Sequence, residues 1–312
     1  MLKKIFVKTK FIIWVMIYWP YYNFLYYLTS GKRHSLRVRD MEETVDYIIR
    51  NRCSVSRYGD GEVQIIIRYI ENREYEVDTF QTFDTSLASR LKAILSCSEP
   101  VDGHAVCIPY AIYDSGGYSG YTNLFWKRFW VKDCLRHYSC FSTSAVYCDT
   151  NFTRFYMGSS RSRRQDIALY VERMKGIWDG RDICFVEGDK SRLGIGNDLF
   201  GNARSITRLL VPSVNAYSRY GDILDAVKAL PKDKLYLLAV GQTATVLAYD
   251  MARLGYWAID IGHVDIEYEW MRMGATHKVP VANKYVNEVK SGRISTDFHD
   301  RLYDSQIIGR IC

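Results

Sequence analysis

Two carboxylates one residue apart, each preceded by a glycine, stand in Arg57-Tyr58-Gly59-Asp60-Gly61-Glu62. Hard divalent cations take carboxylate oxygens, and magnesium or manganese commonly accepts one or two from protein while phosphates and water supply the rest. The glycines permit a sharp turn and a close approach by a diphosphate. Arg57 adds a guanidinium suited to forking onto a phosphate or orienting a carboxylate. Gly-Asp-Gly is also an ordinary turn sequence, so the stretch gains weight only in company.

Three further stretches supply it. Residues 186–200, VEGDKSRLGIGNDLF, run from an apolar segment into a loop carrying Gly188, Ser191, Arg192, Gly194, Gly196, Asn197 and Asp198. Such a loop offers backbone N–H groups and a guanidinium to an anion, although a solvated surface loop looks similar. It is no dinucleotide fingerprint, because Leu199 stands where the third glycine is required, and no Walker-type Gly-Lys-Ser/Thr occurs. Residues 239–245, AVGQTAT, place Gly241, Thr243 and Thr245 at a helix start whose amides and dipole favour phosphate; an ordinary strand-to-helix turn reads the same. Residues 262–270, GHVDIEYEW, gather His263, Asp265, Glu267 and Glu269. On a helix Asp265 and Glu269 share a face. Either suits a general base for an acceptor hydroxyl, and His263 suits orienting that base or binding diphosphate. The plain alternative is an acidic helix start.

These residues need elements to position them. Asp40 with Glu43 reads as a capped helix start, and Val45, Ile48 and Ile49 form its apolar face. Residues 53–58 read as a strand that enters the Gly-Asp-Gly-Glu turn. Asp84 caps a helix through Leu87, Leu91 and Leu95. Residues 104–108 and 145–148 read as short strands, with a helix over 121–135 between them. After the basic patch at 161–164 a helix runs to about residue 177. DICFVE at 182–187, KLYLLAV at 234–240 and WAIDI at 257–261 read as buried strands, with a helix over about 243–254. Short apolar strands alternating with helices predict an α/β, Rossmann-like, mostly parallel sheet with helices on both faces. Ligands of such sheets collect beyond the carboxyl ends of the strands, where each motif lies.

Charge is unevenly placed. Eight of the 42 basic residues and none of the 35 acids fall in residues 1–39, so the rest of the 312-residue chain is near neutral and the net +7 belongs to the N-terminus. That argues against a nucleic-acid face and for a tail meeting an anionic membrane surface. Residues 11–30, FIIWVMIYWPYYNFLYYLTS, carry no charge and are interrupted by Pro20 and Asn23. The density of Tyr and Trp favours an interfacial helix over a spanning one, with a helix packed on the protein's own body as the alternative. No small-residue cleavage site ends the segment, which speaks against a cleaved signal peptide. The eight cysteines include no C-x-x-C pair, as expected of free thiols in a reducing cytoplasm.

Together and in this order, RYGDGE at 57–62, VEGDKSRLGIGNDLF at 186–200, VGQTATVLAYD at 240–250 and IGHVDIEYEW at 261–270 resemble the GT-D fold glycosyltransferases of bacterial surface glycan and glycoprotein assembly. Asn283-Lys284-Tyr285-Val286-Asn287-Glu288 is similar to that family's C-terminal element, whereas residues 146–154 match its serine-arginine-proline element only loosely. The resemblance spans residues 40–290. It implies a Rossmann-like fold, a UDP-hexose donor, and manganese (or magnesium) near Asp60 and Glu62. It also implies nucleotide and phosphate binding by Arg57, Gly59, the loop from Gly188 to Asp198, Gly241, Thr243 and Thr245. The reading is then a membrane-associating segment at 1–39 and a transferase domain at 40–312. That domain moves a hexose to a hydroxyl of a lipid-linked or protein-linked glycan at the inner face of the cytoplasmic membrane. Glu269 or Asp265 is the expected base, and the absence of an evident carboxylate nucleophile points to inversion. The alternative class is a non-catalytic, membrane-associated nucleotide-binding module.

Overall fold

A computed structural model describes residues 16–73, 80–293 and 299–311. Lys3, Lys4, Lys8, Lys10, the start of the aromatic run and Cys312 lie outside the described residues. The chain begins with helix α1 over residues 16–28, followed by α2 (Ser30–His34) and the short strand β1 (Arg37–Val38). Then come α3 (Met41–Asn51), β2 (Ser54–Arg57), α4 (Asp60–Ile70), α5 (Thr85–Leu95), β3 (His104–Ile108), α6 (Tyr110–Tyr113), α7 (Gly120–Phe129) and β4 (Val146–Asp149). The second half contains α8 (Ile167–Lys175), β5 (Asp182–Gly188), β6 (Ser205–Val211), α9 (Tyr220–Lys228), β7 (Leu235–Ala239), α10 (Gln242–Arg253), β8 (Trp257–Asp260), α11 (Val264–Arg272), α12 (Arg301–Gln306) and β9 (Ile307–Arg310).

Among the described residues nine strands form one sheet in the order β1-β4-β3-β2-β8-β7-β5-β6-β9, and every pairing between them is parallel. Both faces are covered, so the strands are apolar on both sides rather than alternating. In β5, Ile183 and Phe185 join a cluster with α3 and α8, while Cys184 and Val186 join one with α9 and α10. The helices form for local reasons. Asp40 accepts from Glu43 N at 2.8 Å and the Glu43 carboxylate accepts in turn from Asp40 N, which starts α3; Val45 and Ile48 are then fully buried. Each such side chain contributes about 1.5–3 kcal/mol on leaving water. Asp84 caps α5 through Leu87 N at 2.9 Å.

The sequence reading is corrected at four places. Asp60 and Glu62 are not on a loop: Gly59 is the N-cap of α4 and both carboxylates lie in its first turn. Strand β6 was not expected, because Thr207 and Arg208 interrupt its apolar run. Strands β1 and β9 are edge strands without a strong pattern of their own. Finally, no boundary falls at residue 39. Tyr26 and Leu36 are buried in a core shared with α4, α5 and α7, and β1 pairs with β4. The seven described cysteines are unpaired. Among the described residues no helix is long and apolar enough to cross a membrane.

Candidate active site

Strands β2 and β8 are neighbours at the centre of the sheet, and their carboxyl ends open into a cleft of ≈ 580 Å³. Three helices begin on it: α4 after β2, α10 after β7 and α11 after β8. First-turn amides have no partner within a helix, so three N-termini at one place favour an anion. Among the described residues six carboxylates also line the cleft (Asp60, Glu62, Asp260, Asp265, Glu267 and Glu288), against the three cations Arg57, Arg154 and Lys278. An anionic ligand therefore meets an acidic wall unless a cation comes with it.

Asp60 is exposed at the first position of α4, whereas Glu62 folds back and accepts from Gly59 N at 2.8 Å. Burial pushes the Glu62 carboxyl up to about 7, outweighing the N–H groups of the helix start. Among the described residues no group of three His, Cys, Asp or Glu side chains forms a metal cage. Asp60 and Glu62 both line the cleft, but at i and i+2 of a helix they do not share a face and Glu62 is engaged by Gly59 N, so a divalent cation here would draw first on Asp60 and take its remaining oxygens from a diphosphate and water.

Around β8 the polar side chains hold one another. Asp260 accepts from Arg57 Nε at 3.3 Å and from Gly262 N at 3.1 Å, while Arg57 also donates to the Thr150 carbonyl at 3.1 Å. Arg57 thus lines the cleft as an anchored group and not as a free fork. Gly262 has φ +46°, and a Cβ there would lie 1.9 Å from the Arg57 guanidinium, so no other residue fits. His263 accepts at Nδ1 from Arg154 at 3.0 Å. An arginine can only donate, so Nε2 carries the proton and donates to Asn287 Oδ1 at 2.8 Å. Burial, with Arg154 next, holds the imidazole down to about 4. His263 is therefore neutral and positions Arg154; it supplies no positive charge to a diphosphate, contrary to that part of the expectation. Arg154 also meets Glu288 Oε1 at 2.5 Å and Glu267 Oε1 at 4.0 Å. Burial opposes ionisation of Glu288, but the Arg154 and Lys278 charges outweigh it and keep the carboxyl well below its usual range.

The glycine-rich loop differs most from expectation. Ser191 lines the cleft, but Gly188, Arg192, Gly194, Gly196, Asn197 and Asp198 do not. The amides of this loop are spent internally: Leu193 N donates to Glu187, Gly194 N to Asp265 and Ser191 N to the Gly188 carbonyl. The Arg192 guanidinium is buried and donates to the Asn283 carbonyl at 2.7 Å. Asn197 bridges Asp265 and Glu269 at 2.7 Å each, and buried Lys284 meets the same two carboxylates at 2.6 and 3.2 Å. Asp198 is exposed and accepts from Tyr268 Oη. Glu269 does not line the cleft, and Asp265 reaches it with both oxygens already bonded. As placed, these two carboxylates lock the loop to α11 and are poor acceptors for a substrate proton. Gly59 and Gly241 do line the cleft, the latter with φ +59° and the Phe80 ring where a Cβ would go. Thr243 and Thr245 are fully buried behind it, and Thr245 donates to the Arg57 carbonyl at 2.9 Å.

A family model described as "Glycosyltransferase GT-D fold" matches residues 55–289. The chain belongs to the GT-D-fold glycosyltransferase family. It is 34% identical to glycosyltransferase GlyD of Streptococcus pneumoniae serotype 4 over 280 residues, covering 88% of this chain and 33% of that protein. It is also 34% identical to a probable glycosyl transferase, Gly, of Streptococcus gordonii, covering 91% of this chain and 40% of the other. The chain thus spans about a third to two-fifths of these relatives. A solved structure of the domain of unknown function 1792, described as a distinct glycosyltransferase fold, superposes with a TM-score of 0.82 at 35% identity, covering 91% of this chain and 99% of that one. A glycosyltransferase of the same domain type from Streptococcus sanguinis gives 0.78 at 34%, covering 89% and 100%. Within this GT-D frame the residue-by-residue reading gave no role to Arg154, Asp260, Tyr118 or Tyr121, and it named Glu267 in the acidic cluster without choosing it as the base. Arg154 ends the stretch that matches the family pattern only loosely, and the tyrosines lie in no motif, so spacing gave no signal for them.

Proposed function

We propose that the chain transfers a hexose from a UDP-sugar to a hydroxyl of a glycan carried at a membrane surface, with a divalent cation, manganese preferred. The observation that carries this is the meeting of three helix N-termini with Asp60 and Glu62 in one cleft at the centre of a parallel sheet. The N-termini suit a diphosphate, and Asp60 and Glu62 would hold the cation that neutralises it on departure. For the acceptor proton the geometry favours Glu267 over Asp265 and Glu269. Its Oε2 is fixed by the amides of Tyr156 and Met157 at 2.8 and 2.7 Å, and burial raises its carboxyl above the ordinary range. A buried, oriented carboxylate with its second oxygen less engaged suits general-base work and an inverting displacement.

Helix α1 supports the membrane part of the reading. Ile17, Tyr21, Phe24 and Leu28 recur at helical spacing and are 60%, 53%, 65% and 66% exposed. The opposite side packs inward through Tyr26. An outward aromatic stripe next to Lys32 and Arg37 fits an interfacial helix on an anionic membrane, facing a reducing cytoplasm if the seven unpaired thiols are a guide.

Purified protein incubated with a panel of UDP-hexoses and manganese should release UDP, faster with a glycan acceptor present. Excess EDTA or Asp60→Ala should stop release, and restored manganese should rescue the chelated enzyme alone. Full turnover in EDTA would remove the cation from the reading.

A further inference from the structure

One part of the cleft is not explained by diphosphate or cation. Part of its lining is aromatic: Tyr118, Tyr121, Phe125 and Trp126. Tyr121 and Phe125 are one helical turn apart on α7. Tyr118 is buried and fixed, its hydroxyl accepting from Asn151 Nδ2 at 3.0 Å with Arg163 over its ring. Tyr121 is 67% exposed at the rim. Aromatic faces with a few fixed polar groups are suited to the apolar face of a sugar ring.

The same helix is bound to α1. Lys127 Nζ donates to Asn23 Oδ1 at 2.6 Å and lies over the rings of Tyr26 and Tyr27. Just past the ends of both helices Trp130 Nε1 donates to Thr29 Oγ1 at 2.9 Å, and a Cβ on Gly120 of α7 would lie 3.8 Å from the Trp19 ring of α1. The aromatic wall and the outward stripe of α1 therefore belong to one packed pair of helices. A sugar on the wall sits beside whatever surface α1 rests on.

We propose that the α7 wall is the acceptor subsite, binding the terminal sugar of a lipid-anchored glycan whose lipid stays in the membrane under α1. This rests on the transferase reading above. It commits the Phe80-bearing part of the cleft, where that ring packs on Gly241 at the start of α10, to the nucleoside.

The test presents dodecyl hexosides in phosphatidylcholine–phosphatidylglycerol vesicles and the matching methyl hexosides in solution. The wild type should show a KM at least about tenfold lower for the dodecyl form. Tyr121→Ala and Phe125→Leu should raise the KM for both acceptors by about tenfold, with the Kd for UDP, read by calorimetry, moving less than twofold. Saturation-transfer NMR reads the same contact without turnover: methyl hexoside protons should be saturated in the wild type and not in Tyr121→Ala. Unchanged KM values and unchanged saturation overturn the assignment, as does a weakened UDP Kd, which would give the wall to the nucleoside. Equal KM values for dodecyl and methyl forms overturn the lipid anchor. Absence of UDP release from every donor, with saturation still lost in Tyr121→Ala, fails the transferase reading and leaves the sugar wall standing.

Discussion

Asp265 and Glu269 show how residue type and residue environment part company. Both have the chemistry of a base, yet both share the ammonium of buried Lys284 and are hydrogen-bonded by Asn197. Removing one partner of a buried ion pair costs about 3–5 kcal/mol, because the other charge is left unpaired. Glu269→Gln should therefore lower the melting temperature and weaken UDP binding along with turnover, through release of the loop. A large fall in kcat with intact UDP affinity and stability would return Glu269 to the role of base. Glu267→Gln is the complementary case. It keeps an oxygen for the two amides but loses basicity, so kcat should fall about 10²–10⁴-fold with the Kd for UDP nearly unchanged. His263→Gln should act through Arg154, which it holds by Nδ1. Donor affinity should drop, with no acidic limb removed from the pH–rate profile, since the imidazole is already neutral there.

At the scale of elements, α1 carries two roles on two faces. Its inner side is part of the core, and β1 just after it completes the sheet edge, so deleting residues 1–39 strips buried Tyr26 and Leu36 and should leave an insoluble or unfolded product. Changing only the outer stripe separates the roles. Ile17→Lys with Phe24→Lys should leave the melting temperature within about 2 °C while abolishing sedimentation with anionic vesicles. Vesicle binding that survives this double change would place the membrane contact elsewhere. The glycine-rich segment after β5 has likewise changed meaning: an element read as a phosphate cradle is a buried brace, because Glu187 and Asp265 consume its amides.

For the whole molecule, two histidines couple folding to pH. Burial holds His104 and His263 down to about 4, against about 6.5 when unfolded. Between these values the unfolded chain binds more protons, so stability is lost as pH falls from about 6.5 to about 4, by at most about 3 kcal/mol for each group. Glu62, pushed up to about 7, and Asp149, pushed up to about 6, act in the opposite sense, losing stability as pH rises through those values. The histidine contribution is isolated by difference. His104→Gln should be less stable than the wild type at pH 7 and gain on it at pH 4.5, read as melting temperatures at both. A stability gap that stays constant with pH would mean that His104 binds its proton equally well in the folded and unfolded chain.

Much of this was legible from residue order. Period and composition determined the buried strands at 182–187, 234–240 and 257–261, the caps at Asp40 and Asp84, and the placement of the motifs beyond the carboxyl ends of parallel strands. These are local properties, fixed by backbone hydrogen bonding and by apolar runs that must be covered on both faces. The tertiary structure alone decided which polar groups face ligand and which face each other. Glu187 and Arg208, 21 residues apart, meet at 2.5 Å with both side chains buried, which is why an arginine sits inside β6. Lys284 reaches Asp265 from a separate segment, and Arg154 reaches His263 from 109 residues away in the sequence. A charge taken out of water must find its partner somewhere in space, and a linear sequence does not say where.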